Sequence, residues 1–256
     1  MVMTYSYLEP VLQLKNVSLS FGEKKILKDI NLEIKDVVRE TSTGQVITLV
    51  GKSGIGKTQL MKIIAGLQKP TTGEVLLTKA LTPVKQGQVG MVLQTYPLFE
   101  HRTVRSNMEL VCSDKEKIEA YAEEFDIRQH LGKYPCQLSG GQRQRSAIIQ
   151  QLLCSDKFIL FDEPFSGLDP LAINKLIKNI NKVANLDSEN TVIISSHILE
   201  PSLSISDTVV MLNKTGDEPA TITLIGDMIK EGLAWLDNPR TNPRFMEFCE
   251  YIRNAF

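Results

Sequence analysis

The stretch GKSGIGKT, Gly51 to Thr58, sets glycines at its first, fourth and sixth positions and follows them with a lysine and a hydroxyl. This is the G-x-x-x-x-G-K-[ST] spacing of a phosphate-binding loop, the Walker A motif. Its glycines let the backbone N–H groups of Gly51, Lys52, Ser53, Gly54, Ile55 and Gly56 curl around phosphate oxygens, and a following helix N-terminus adds favourable dipole charge. Lys57 is placed to supply a point charge to β- and γ-phosphates, and Thr58 a hydroxyl to Mg²⁺. A second reactive pair, Asp162 and Glu163, follows the apolar run FILF and is stopped by Pro164. Carboxylates at a strand's carboxyl end face the crevice where open α/β sheets bind ligands. There Asp162 suits Mg²⁺ held through water, and Glu163 suits polarising an attacking water. A solvated strand end is the plain alternative; the phosphate loop favours the catalytic one. A third stretch, LSGGQ (Leu138 to Gln142), puts two adjacent glycines before a helical run. That pair is costly in backbone entropy unless something approaches closely.

The elements that must position these residues show in the hydrophobic periodicity. Leu12, Leu14, Val17, Leu19 and Phe21, then Ile30, Leu32 and Ile34, alternate as antiparallel strands with one buried face. The polar segment from 35 to 45 is expected to be a mobile surface loop, too long for a tight turn. Three fully apolar runs, 46–50, 157–161 and 191–195, suit buried parallel strands. Helical patterns are predicted at 58–67, with Leu60, Ile63, Ile64 and Leu67 on one face, and at about 115–130, 141–154 and 170–185. Parallel strands separated by helices mean an α/β fold with a mostly parallel sheet and an antiparallel β part. The last segment carries Asn242 and Pro243 as cap and first-turn residues, then Phe245, Phe248, Cys249 and Ile252 at helical spacing, predicting a docked terminal helix.

Composition narrows the classes. The 256 residues carry a formal net charge of −1 and 42% hydrophobic residues, enough for a sizeable core and without the basic stripe of a nucleic-acid binder. Four scattered cysteines form no CxxC pair, so reduced thiols are expected rather than a zinc or disulfide framework. No apolar run reaches the roughly 18 residues of a membrane span and no signal pattern opens the chain. Any membrane role is therefore expected to run through a partner, without direct insertion.

Taken in order, the motifs resemble those of the ATP-binding cassette (ABC) ATPases of membrane transporters. Besides GKSGIGKT and ILFDEP, the chain has GMVLQTYPLF with Gln94 at the Q-loop position, LSGGQ at the signature, SGLD (166–169) at the D-loop, and SSH ending in His197 at the switch position. Phe21 falls where the family places an aromatic ring against adenine. The resemblance covers about residues 11 to 215. It implies a single ATP-binding domain over 1–256 with a P-loop NTPase core, a helical subdomain inserted at about 95–155, and a C-terminal tail at 226–256. It also implies ATP and Mg²⁺ as ligands, with Thr58, Gln94 and Asp162 at the metal and Lys57, Gln94, Glu163 and His197 in the reaction. Ser139, Gly140, Gly141 and Gln142 would approach the γ-phosphate held by a second subunit in a head-to-tail pair, a homodimer.

Transmembrane permease subunits are the implied partners, met through the 95–135 region on the cytoplasmic face of the membrane. The importer-like layout adds a substrate-binding protein. Two departures stand out: SAIIQQLLCS after the signature lacks the family's usual arginine, and the 35–45 segment exceeds its usual short turn. A soluble non-transport ABC ATPase, for example in cluster assembly, is the alternative, while a GTPase or kinase leaves LSGGQ unexplained. His101 and His130 carry no motif and are expected at the surface.

Overall fold

The computed structural model describes residues 5–39, 44–77, 81–155, 157–236 and 238–255. Its first elements are long: β1 (Tyr5–Phe21) and β2 (Lys24–Arg39) pair antiparallel across a turn at Gly22, whose φ of +59° a glycine adopts without strain. Leu12 and Leu14 are buried, the register shifts around Asn16 at φ +50°, and Val17 and Leu19 resume on the buried face. The odd step between Leu14 and Val17 is thus a β-bulge.

The expected loop at 35–45 is corrected here. β2 runs unbroken to Arg39, and Tyr5 pairs with Arg39 at the far end of the hairpin. Charged residues made this stretch look solvated, yet Asp36, Val37 and Arg39 are buried. The remainder of the expected loop, 40–43, lies outside the described residues. At its end the backbone N–H groups of Gly44 and Gln45 donate to Ala184 and Asn190 carbonyls.

β4 (Thr72–Leu77) and β5 (Thr82–Pro83) extend the hairpin into a four-stranded antiparallel sheet ordered β2-β1-β4-β5. The second sheet has six strands ordered β10-β9-β3-β8-β7-β6. In sequence these are β3 (Gln45–Val50), β6 (Val89–Val92), β7 (Phe158–Asp162), β8 (Thr191–Ser196), β9 (Thr208–Asn213) and β10 (Thr221–Asp227). Every neighbouring pair is parallel except β9 and β10. Every residue of β3, β7 and β8 is buried, as apolar runs covered on both faces must be.

Helices cover this sheet. α1 (Lys57–Ile64) leaves the end of β3 and stops short of the predicted residue 67. Gly66 turns the chain at φ +70°, and Leu67 is 51% exposed rather than on the buried face. α2 (Val104–Glu109), α3 (Lys115–Glu124) and α4 (Gly140–Cys154) share one apolar cluster with β7, β8 and α5 (Pro170–Asn185). α3 ends six residues early because Asp126 adopts φ +54°, which a helix cannot continue through. α6 (Leu199–Leu203) and α7 (Pro243–Asn254) pack with β9. Asn242 caps α7 through a bond from the Phe245 N–H, as its sequence position foretells. The four cysteines are free thiols, and burial pushes that of Cys249 up to about 11.

One buried knot ties the distant parts together. Asp207, just before β9, accepts from the Val46 N–H at 2.8 Å and from Trp235 Nε1 at 2.7 Å, and pairs with Arg39 at 2.5 Å. The Trp235 ring also lies 5.1 Å from the Arg39 guanidinium carbon. The ion pair is 3% and 0% exposed, so removing one partner strands a buried charge. Asp207→Ala should therefore lower unfolding free energy by about 3–5 kcal/mol in urea titrations. A loss below about 1 kcal/mol would mean that the knot is solvated in solution.

Candidate functional site

Parallel register decides which atoms meet. Val50 pairs with Ser196 and Asp162 with Ser195, so the carboxyl ends of β3, β8 and β7 finish side by side. From these three ends the chain delivers the glycine-rich loop, Asp162 with Glu163, and His197. Gly54 and Gly56 take left-handed φ values of +76° and +117°. Gly51 needs its missing Cβ for another reason: that atom would stand 2.6 Å from the Leu212 carbonyl of β9. Gly56 caps α1 without a side-chain bond, leaving first-turn N–H groups aimed out of the loop. Lys52, Ser53 and Gly54 are exposed, whereas the Ile55 side chain roots the loop in the core.

Lys57 is 4% exposed and its Nζ donates to the carbonyls of Gly51 at 2.7 Å and Lys52 at 3.1 Å. It also pairs with Glu163 Oε1 at 2.8 Å. The other oxygen of that carboxylate, Oε2, meets His197 Nδ1 at 2.7 Å and the His197 backbone N–H at 3.3 Å. Glu163 is held in left-handed backbone, φ +49°, by bonds from its N–H to the Ser195 hydroxyl and carbonyl. Such strain in a non-glycine residue persists only where its surroundings enforce it. The same Ser195 hydroxyl donates to Asp162 Oδ1 at 2.7 Å, which also accepts from Thr58 Oγ1 at 3.1 Å. Two hard oxygen donors, Thr58 and Asp162, thus stand together at the loop mouth, a set that fits Mg²⁺ completed by water and phosphate oxygens.

Sequence reasoning passed over Ser195 as a strand residue. A hydroxyl at the carboxyl end of an apolar strand, paired in register with an acidic residue, is the signal that finds it. Gln94 is exposed two residues past β6, the neighbour of β7, and so belongs to the same edge. Phe21 is 49% exposed at the end of β1. A cleft of about 650 Å³ opens beside the loop, between Lys24–Ile26 and Gly54–Ile55, with Lys214 and Asp217 on its far wall; Phe21 is not part of that wall.

The signature residues lie elsewhere. Ser139 caps α4 in a reciprocal box: Gln142 N–H donates to Ser139 Oγ, and Ser139 N–H donates to Gln142 Oε1. Gln142 Nε2 reaches His130 Nε2 at 2.9 Å. His130 is therefore half-buried behind the signature, a correction to its expected surface position.

A phosphate loop between a parallel strand and a helix, with carboxylates on the next strand but one, defines the P-loop nucleotide-binding class. Within it, the profile described as ABC transporter matches residues 34–166, and the chain belongs to that family. It is 37% identical over 212 residues to a sulfate/thiosulfate import ATP-binding protein CysA of Thermosynechococcus vestitus, covering 78% of this chain and 61% of that protein. Similarity to a maltose/maltodextrin import ATP-binding protein MalK of Mannheimia succiniciproducens is 36% over 222 residues, covering 79% and 55%. The chain thus spans a little over half the length of these relatives. The solved structure of CbiO1 from Clostridium perfringens, described as part of the transporter complex CbiONQ, superposes with a TM-score of 0.73 at 22% identity, over 96% of this chain and all of that one. That likeness shows the fold.

The Gly51 contact generates a direct test. Gly51→Ala should cost about 1–3 kcal/mol of stability, because its Cβ must push β9 and the loop apart. Thermal melts of the variant check this, and an unchanged melting temperature would show that the loop does not lie against Leu212.

Proposed function

We propose that this chain binds ATP with Mg²⁺ and hydrolyses it as one half of a head-to-tail pair, driving import through separate transmembrane permease subunits. The observation that carries this reading is the Glu163 carboxylate, held between Lys57 and His197 at the mouth of the phosphate loop. In this state Lys57 is engaged by a carboxylate and two carbonyls. An incoming γ-phosphate offers Lys57 stronger anionic partners, so ATP draws the ammonium away from Glu163 Oε1. The freed oxygen can then accept a proton from water as the water oxygen attacks the γ-phosphorus and the bond to the ADP oxygen breaks. His197, on the other carboxylate oxygen, holds Glu163 in place and would contact the γ-phosphate. Thr58 and Asp162 would hold Mg²⁺ with Gln94 beside them; bound there, the cation draws charge off the transferring phosphoryl group. The Phe21 ring would stack on adenine, a contribution of order 1 kcal/mol.

The need for a second subunit is supported by the signature glycines. Gly140 has nothing within 4 Å of a Cβ built on it, and at Gly141 only Arg145 Nη1 comes near, at 3.7 Å. Neither has left-handed backbone. Among the described residues, nothing in this fold therefore requires two glycines here. A helix N-terminus kept bare of Cβ atoms suits an anion brought by another molecule, the partner's γ-phosphate.

Among the described residues no helix is long and apolar enough to cross a membrane; a peripheral place on the cytoplasmic face beside a permease is supported by the similarity to import ATP-binding proteins. The 95–135 part of the helical subdomain inserted at about 95–155 would form the surface that meets it, within a single ATP-binding domain whose tail begins near 226. Import, with a substrate-binding protein upstream, is favoured over cluster assembly by the names of the CysA and MalK relatives.

Two measurements test this. Glu163→Gln should cut turnover by roughly 10²–10⁴-fold while ATP binding persists, since general-base help is lost but the phosphate contacts are not. Hydrolysis at the parent rate would remove Glu163 from that role. Gly140→Ala should keep or raise thermal stability, because alanine is the better helix former by about 1 kcal/mol. It should nevertheless lower turnover, and mixing it with inactive Lys57→Ala should restore part of the activity through the one intact composite interface. Full activity of pure Gly140→Ala would count against the two-subunit site.

A further inference from the structure

The hydrogen bonds around Gln142 admit one protonation pattern. Ser139 N–H can only donate, so the Gln142 atom facing it at 2.9 Å is the amide oxygen. The amide nitrogen, a pure donor, then faces His130 Nε2 at 2.9 Å. His130 must accept there, so its ring is neutral and carries its hydrogen on Nδ1. That nitrogen is buried with no hydrogen-bond partner. The charged groups acting on the ring are both cations: Lys133 from the turn after it and Arg145 from α4. Burial first, then these two charges, holds His130 below the usual histidine range.

A ring with hydrogen on Nε2, neutral or protonated, would oppose donor to donor. The Gln142 amide would then have to turn over, setting its nitrogen against Ser139 N–H and opening the capping box that holds the first turn of α4.

We propose that His130 is a positioning residue of the signature: its neutral ring, accepting on Nε2, locks Gln142 and through it the Ser139 cap, and protonation of His130 releases that lock. The sign follows from the same contacts. A folded-state pKa below the unfolded value means that the stabilisation is complete above the ordinary histidine range and is lost as pH falls through the folded value. His130 touches neither the phosphate loop nor its carboxylates. Its effect on turnover rests on the two-subunit reading above, whereas its tautomer does not.

The test has two arms on the full chain. Nitrogen-15 spectra of histidine-labelled, nucleotide-free protein should show His130 with hydrogen on Nδ1, titrating at lower pH than an unperturbed histidine. Gln142→Leu should let the hydrogen move to Nε2. Hydrogen on Nε2 in the parent, or no change in Gln142→Leu, would overturn the proposal whether or not the protein hydrolyses ATP.

In the turnover arm, His130→Lys, always a donor, should lower the maximal rate by about tenfold, the scale of a lost helix cap, with ATP affinity unchanged. Retained affinity also reports that this variant folds. His130→Asn, whose amide oxygen can accept from Gln142, should stay within about twofold of the parent at neutral pH. It should also keep more of its rate than the parent in acid, His197 being common to both. Parental rates in His130→Lys, or equal loss in both variants, would reduce His130 to a packing residue.

Discussion

Ser195 stands opposite Asp162 across a parallel ladder, and its single hydroxyl serves both carboxylate residues at once. It donates to the Asp162 side chain and accepts from the Glu163 backbone N–H. That double use forces Glu163 into left-handed backbone and turns its side chain toward Lys57 on one side and His197 on the other. A shift of one residue between β7 and β8 would exchange the faces of every side chain and separate these groups. The chemistry of the site therefore depends on strand register before it depends on any one catalytic residue.

That the phosphate loop, both carboxylates and His197 belong to one candidate site was legible because such motifs hold fixed residue types at fixed spacing. Buried parallel strands were legible for a similar reason, since burial on both faces leaves unbroken apolar runs such as VITLV and TVIIS. Shorter or mixed strands gave no such mark. β6 has only four residues and contains Gly90, and β10 is half exposed at the sheet edge. The end of β2 was misread because Lys35, Asp36 and Arg39 look like solvent-facing charge. Arg39 is buried against Asp207, 168 positions away, and no local pattern carries such a pairing. His130 was hidden likewise, since its role comes from an amide twelve residues along that folds back on it.

The two halves of the site differ in what enforces them. On the phosphate side, glycines are required by this chain itself, through left-handed backbone at Gly54 and Gly56 and the close approach of Leu212 at Gly51. On the signature side they face open space. Mutational tolerance at the glycines should follow that division: substitutions at the loop glycines register as lost folding, those at the signature glycines as lost function in a protein that still folds.

The hairpin has a consequence for how a nucleotide is measured. Its far end is pinned by Arg39 on Asp207, and its near end by Lys28 N–H on the Ala220 carbonyl and Ala220 N–H on the Ile26 carbonyl. At the near pin, Ile26 and Leu27 lie 3.1 Å from where a Gly56 Cβ would be, directly against the phosphate loop. The hairpin and the loop thus belong to one stiff frame; with Phe21 stacked on adenine as proposed, the span from ring to phosphate cradle would be a ruler set before any ligand arrives. A nucleotide one phosphate shorter could then still touch both marks, but it would bring Lys57 a β-phosphate and no γ-phosphate. Such a frame spends little free energy on ordering itself, so in the proposed function discrimination between triphosphate and diphosphate would fall to the Lys57–Glu163 contact at the ruler's end.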